Sequence, residues 1–223
     1  LGVGYLLGAA LVLVMGEALY GSMPRWVSLP LAGLLGLTLL SVGARGPVVA
    51  TVASMLFLTF AARSKVKRIW FVVLVPALLG ASFLLANPIS QQRLLQLTDS
   101  TRADLRGQAL ELWLSNPAIG VGFGGFQTFN PGLKFPHNIF SELTAEAGLL
   151  GLTSFLILLG VMARRYTQYR RSPLTVLSGA LALFVLVGQQ FSSDLTNRVF
   201  WLGMMPLLLL PQVFRCDRRT AMT

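Results

Sequence analysis

The only histidine of this 223-residue chain, His137, closes a glycine-rich stretch, GVGFGGFQTFNPGLKFPHN (120–138), in an otherwise mostly apolar sequence. A neutral imidazole can take a proton from a hydroxyl at neutral pH, because the free ring titrates at about 6.5. A histidine at an apolar boundary serves structure more often than chemistry. Here Asn138 follows directly, and Arg102 and Arg106 fall in the same polar segment, which favours chemistry. Arg45 is the next anomaly: in LTLLSVGARGPVVATV it sits between two apolar runs, in a turn too short to reach far into solvent. A guanidinium near a bilayer is costly and marks a function by default; the competing reading is an anchor snorkelling to lipid head groups. Its planar fork donates two parallel hydrogen bonds, which suits a diphosphate.

The acidic residues argue by their scarcity. Asp99, Asp104, Glu111 and Asp194 are scattered, with no D-x-D or similar cluster, so neither a resident metal nor a cofactor is expected. Glu142 and Glu146 share a helix face at i, i+4, and Glu146 reads as structural, paired with a basic or polar group in the bundle or protonated. In a regular helix Glu146 falls about 13 Å below His137.

Gly120, Gly122 and Gly125 match G-x-G-x-x-G, the dinucleotide fingerprint. That motif needs a strand before it and a helix after it, with a carboxylate some way on. The preceding segment is helical and ends in Asn116-Pro117, and a second Asn-Pro turn follows at 130–131, so the fingerprint reading fails. Two readings stay open. The glycines let backbone approach a ligand and offer N–H groups to an anion, or they form a flexible loop that packs Phe123, Phe126 and Phe129 on the membrane surface.

The elements that must position these residues are legible in composition. Apolar residues make up 54% of the chain and charged ones 12%, with a mean hydropathy of +0.69. Seven spans are expected, at about 1–20, 27–43, 47–62, 69–86, 138–163, 174–191 and 199–214, giving an all-α polytopic membrane protein. The chain opens inside an apolar run without an initiator Met, which reads as a piece of a longer polytopic protein. Net charge is +10, but its location matters more than its total. RSKVKR (63–68), RRYTQYRR (164–171), Arg25 and the tail arginines 215, 218 and 219 fall on one side when the spans alternate. That is twelve of the eighteen Lys and Arg, which places this side in the cytoplasm and the loop 87–137 outside. Nucleic acid is therefore not an expected partner; membrane lipids are. The single Cys216 says nothing about compartment.

Three units follow: spans over 1–86, an outward loop over 87–137, and spans with a cytoplasmic tail over 138–223. Within the loop, TRADLRGQALELWLS predicts an amphipathic helix over 101–115, with Leu105, Ala109, Leu112 and Trp113 on one face. Ser100 or Thr101 caps its start and Asn116-Pro117 stops it. Such a helix lies along the membrane surface or packs over the mouth of the bundle.

The string TRADLRGQALELWLSNPAIGVGFGGF…FPHNIFSELTAEAGLLGL resembles the signature of the O-antigen ligase and polymerase superfamily: an arginine, an aromatic-bearing helix, a glycine turn, then a His-Asn pair followed by Glu-x-Gly. SVGARG resembles that family's upstream Ser-Arg-Gly motif, with Ala44 where the serine stands. The resemblance covers roughly residues 27 to 163. Members usually carry about a dozen membrane helices, so further helices are expected upstream.

The resemblance implies a glycosyltransferase of the bacterial inner membrane with its active site facing the periplasm. The donor would be a glycan on undecaprenyl diphosphate. The acceptor would be a lipid A core sugar in a ligase, a lipid-linked repeat in a polymerase, or a protein hydroxyl in a third branch. By position, Arg45 and Arg102 match the arginines assigned to the donor diphosphate, and His137 the histidine assigned to the acceptor hydroxyl. Arg106 and Asn138 join them as candidate substrate contacts. Transfer from a glycosyl diphosphate needs charge stabilisation on the leaving group and an oriented nucleophile, which guanidiniums and an imidazole can supply. A transporter would need charges or broken helices near the midplane of several spans, and only Glu17 and Glu146 offer that. A purely structural membrane subunit leaves the arginines and histidine of the loop without a reason.

Overall fold

The computed structural model describes residues 2–20, 23–61, 88, 100–129, 135–191 and 197–220. Among them the chain is all helix: α1 (Gly2–Tyr20), α2 (Arg25–Ser41), α3 (Arg45–Ala61), α4 (Ser100–Ser115), α5 (Gly125–Phe129), α6 (Ile139–Tyr169), α7 (Pro173–Gly188) and α8 (Arg198–Thr220). Two of these, Gly2–Tyr20 and Ile139–Tyr169, are long and apolar enough to cross a membrane. Trp26–Ser41, Arg45–Ala61, Pro173–Gly188 and Arg198–Leu210 are apolar but shorter, and the span expected at 69–86 lies outside the described residues.

The bundle is centred on α1, α3 and α7, with α2 laid on α1 and α8 packed on α7 and α6. Small residues let the helices approach closely, as in lipid, where apolar burial gives little driving force and van der Waals fit dominates. A Cβ at Gly8 of α1 would fall 2.7 Å from both the Phe184 ring of α7 and Thr51 Oγ1 of α3. Around that junction Val12, Met15, Ala50, Met55, Leu58 and Phe184 are buried. The hydroxyls of Thr51, Ser54 and Thr59 donate to the carbonyls of Pro47, Ala50 and Met55, four residues back. Each buried donor is thereby satisfied without an interhelical partner.

The helix expected over 101–115 forms as Ser100–Ser115. It packs against α6. Leu105 and Ala109 are buried with Phe126 and Ala145, and Leu112 is packed against them. Its apolar stripe therefore meets protein, which accords with packing over the bundle mouth.

The span expected at 138–163 is not one straight helix. Gly148 has φ 61° and ψ −157°, far from helical values, and divides α6 into a limb over 139–147 and a limb over 149–169. A straight helix would hold Phe140 and Phe155 about 22 Å apart. Their ring centroids are 6.0 Å apart, so the bend is sharp. Glu146 lies near the end of the first limb, ahead of the break, so the regular helix assumed in placing it below His137 does form.

Candidate functional site

The site is built around the break. In an unbroken helix the N–H groups of Leu149 and Leu150 would donate to the carbonyls of Ala145 and Glu146. The bend at Gly148 releases all four groups, and residues 117–122 move in to satisfy them. Leu149 N–H donates to Pro117 O (2.9 Å) and Leu150 N–H to Ala118 O (3.1 Å). In return Val121 N–H donates to Ala145 O and Gly122 N–H to Glu146 O, both at 2.9 Å. The loop is spliced into the helix as a backbone insert, two bonds replaced by four.

Two glycines make this possible. A Cβ at Gly148 would lie 2.5 Å from Ala118 C and O, and its φ/ψ falls in a region essentially restricted to glycine. A Cβ at Gly120 (φ 69°) would lie 2.5 Å from Glu146 C. The close backbone approach at Gly120 is to another segment of the chain, the end of the first limb of α6. Packing of the loop phenylalanines divides: Phe126 is fully buried, while Phe123 and Phe129 are exposed.

Glu146 is buried, and its Oε1 accepts from Phe126 N–H at 3.4 Å, at the start of α5. That is the structural role its place in the sequence suggests. Glu142, one turn earlier, is buried as well.

At the opposite end of the first limb, His137 is half-buried, with its ring edge-on to Phe135 (centroids 4.7 Å, 72°). Its φ is 56°, the only positive value at a described non-glycine residue. Left-handed backbone costs roughly 1 kcal/mol in a side-chain-bearing residue, and histidine is among the types that adopt it more readily. Such strain persists where the surroundings over-determine it, often at functional sites.

The surroundings do so through Asn138. Its Oδ1 caps α6, accepting from Phe140 N–H (3.0 Å) and Ser141 N–H (3.1 Å). Its Nδ2 donates to Gln190 Oε1 at 2.9 Å. Ile139 N–H donates to Gln189 O at 3.2 Å, a second tie to the end of α7. Both polar ends of Asn138 are thus engaged by the chain. Gln190 in turn donates to Leu186 O (3.1 Å). Sequence reasoning misses Gln189 and Gln190, although a signal exists: a polar doublet closing the apolar run LFVLVGQQ.

Arg45 opens α3 and is half-buried. The positive end of a helix dipole disfavours a cation by ~0.3–1 kcal/mol and favours an anion, so a guanidinium placed there suits an anionic ligand better than it suits the helix. The next residue, Gly46, is packed so closely that a Cβ would lie 2.6 Å from the Tyr5 hydroxyl and 2.8 Å from Phe191 Cβ. Tyr5 Oη donates to Gly188 O at 2.8 Å. The consecutive residues Gly188 to Phe191 therefore touch the start of α3 on one side and the start of α6 on the other. Arg45 and His137, 92 positions apart in sequence (137 − 45), are brought to one end of the bundle.

Arg106 is exposed on α4. Arg102 lies in the first turn of α4, and its side chain falls outside the described residues.

Two helices long and apolar enough to cross a membrane, with the Arg45 and His137 segments at one end of the bundle, fit an integral membrane protein. Residues 30–156 match the family model described as O-antigen ligase. The chain belongs to the O-antigen ligase family, whose members are integral membrane proteins of glycosyltransferase type working on lipid-linked glycans. The matched segment contains Arg45, Arg102, Arg106, His137, Asn138 and both splice glycines. No curated protein matches the chain.

Proposed function

We propose that the protein is an O-antigen ligase, transferring a glycan from undecaprenyl diphosphate to a lipid A core sugar at the periplasmic face of the bacterial inner membrane. The observation that supports this reading is that the segments carrying Arg45 and His137 both touch the end of α7, through Gly46 and Asn138, in a chain of this family. Arg45 and Arg102 hold the diphosphate and stabilise the negative charge that grows on it as it leaves. His137 takes the proton of the acceptor hydroxyl as its oxygen attacks the anomeric carbon. One carbon–oxygen bond forms opposite the one that breaks, so the anomeric centre inverts in a single step. Arg106, one turn beyond Arg102, adds positive charge to the approach. Asn138 acts by holding the histidine segment. The prenyl tail stays in the bilayer throughout, which explains a site at the membrane boundary.

Replacing Arg45, Arg102 or His137 by Ala tests the assignment. Each variant is expected to accumulate normally in the membrane while glycan transfer falls at least about a hundredfold, the usual effect of removing a general base or a charge-stabilising donor. Transfer at the wild-type rate by any of the three would remove that residue from the site. The surface glycolipids of a deletion strain separate the acceptors. Unattached full-length polymer on the lipid carrier marks a ligase, whereas single repeats on lipid A core mark a polymerase. Unglycosylated target protein with normal lipopolysaccharide marks the third branch.

A further inference from the structure

The helix ends opposite Arg45 carry a feature that glycan transfer does not use. α3 runs 17 residues from Arg45 to Ala61, about 25 Å. At its far end it meets the last turns of α6: the Phe57 and Tyr166 rings stand 5.3 Å apart, and Gly179 of α7 backs both. Between these ends lies a cavity of about 550 Å³ lined by Phe57, Phe60, Ala61, Tyr166, Arg170 and Arg171. One wall is aromatic and aliphatic, and the rim carries two exposed guanidiniums. Phe60 is 74% exposed at the end of an apolar helix, where its ring meets whatever surrounds the bundle.

We propose that this cavity binds the phosphate head group of an anionic membrane phospholipid. Arg170 and Arg171 hold the phosphate, the Tyr166 hydroxyl supplies a further donor, and Phe57 and Phe60 face the glycerol and upper acyl chains. The charge pattern argues for a lipid over a soluble anion. RSKVKR follows α3 in the sequence, and RRYTQYRR closes α6 at this end of the bundle. That is the side the positive-inside pattern assigns to the anionic cytoplasmic leaflet. Basic pockets between membrane helices on that side are sites for anionic head groups. The lipid would pin α3 to α6 one membrane thickness away from Arg45.

The test uses the full chain, purified in detergent, returned to phosphatidylcholine nanodiscs containing a minor fraction of phosphatidylglycerol, with retained lipid counted by native mass spectrometry. Phosphatidylglycerol is expected to be retained above its bulk share. The double variant Arg170→Gln, Arg171→Gln should weaken retention roughly 25-fold, about fivefold per arginine. Arg164→Gln, Arg165→Gln removes the same charge outside the cavity and should leave retention near wild type. Ala61→Trp narrows the cavity with its charges intact and should lower retention in protein whose melting temperature is unchanged. The proposal is overturned if the first pair retains the lipid like wild type, if the second pair loses it equally, if Ala61→Trp retains it like wild type, or if excess inorganic phosphate displaces the lipid.

Discussion

Gly148→Ala is the sharpest test of how this fold positions its chemistry. The φ/ψ pair at Gly148 costs an L-residue about 1–3 kcal/mol. The new methyl would also stand 2.5 Å from the backbone of Ala118, which cannot swing away as a side-chain tip could. Relief requires the splice to open, breaking Leu149 to Pro117 and Leu150 to Ala118. Each such bond contributes ~1 kcal/mol, so strain and lost bonds together reach about 3–5 kcal/mol. Part is recovered if α6 straightens, because Leu149 and Leu150 can then donate to Ala145 and Glu146 in the ordinary way. Straightening, however, moves the first limb away from α7 and breaks the ties of Asn138 to Gln190 and of Ile139 to Gln189. The variant should therefore melt clearly below wild type in detergent, and glycan transfer should be lost even where protein persists. Gly160→Ala is the control: it lies in the same helix with nothing within 4 Å of its Cβ position, and should be neutral or stabilising by up to ~1 kcal/mol. If Gly148→Ala melts like Gly160→Ala and transfers glycan normally, the splice does not hold the site.

Substitutions at two further positions separate structure from chemistry. His137→Gly removes the left-handed strain at φ 56°, so its thermal stability should be unchanged or up to ~1 kcal/mol higher, while transfer is lost; retained transfer would make the imidazole a packing group. Asn138→Ala removes the α6 cap and the Gln190 bond and should cost about 2 kcal/mol. Asn138→Asp keeps the cap and should cost about half as much by the same melting assay, and equal losses would dismiss the cap.

Composition and local pattern give the all-α class and most of the described helices, and they name the candidate residues. Long apolar runs specify helix because a chain without nearby water must satisfy its own backbone. The bounds of α4, Ser100–Ser115, fall within one residue of the 101–115 read from its periodic stripe and its Asn-Pro stop. Arg45 and His137 stand out because a charge or an imidazole among apolar residues has a cost that needs a reason. What the glycines do is settled in three dimensions alone. GVG and the glycine of Glu-x-Gly belong to segments 28 positions apart (148 − 120), and neither segment by itself reveals that it is half of a backbone splice. Local sequence specifies which φ/ψ a residue tolerates, not which partner will take its hydrogen bonds. The same holds for Asn138, a candidate substrate contact by resemblance, which in the fold caps α6 and holds Gln190. Long-range backbone pairing is set by packing of the whole bundle, and that is where Arg45 and His137 acquired a common end.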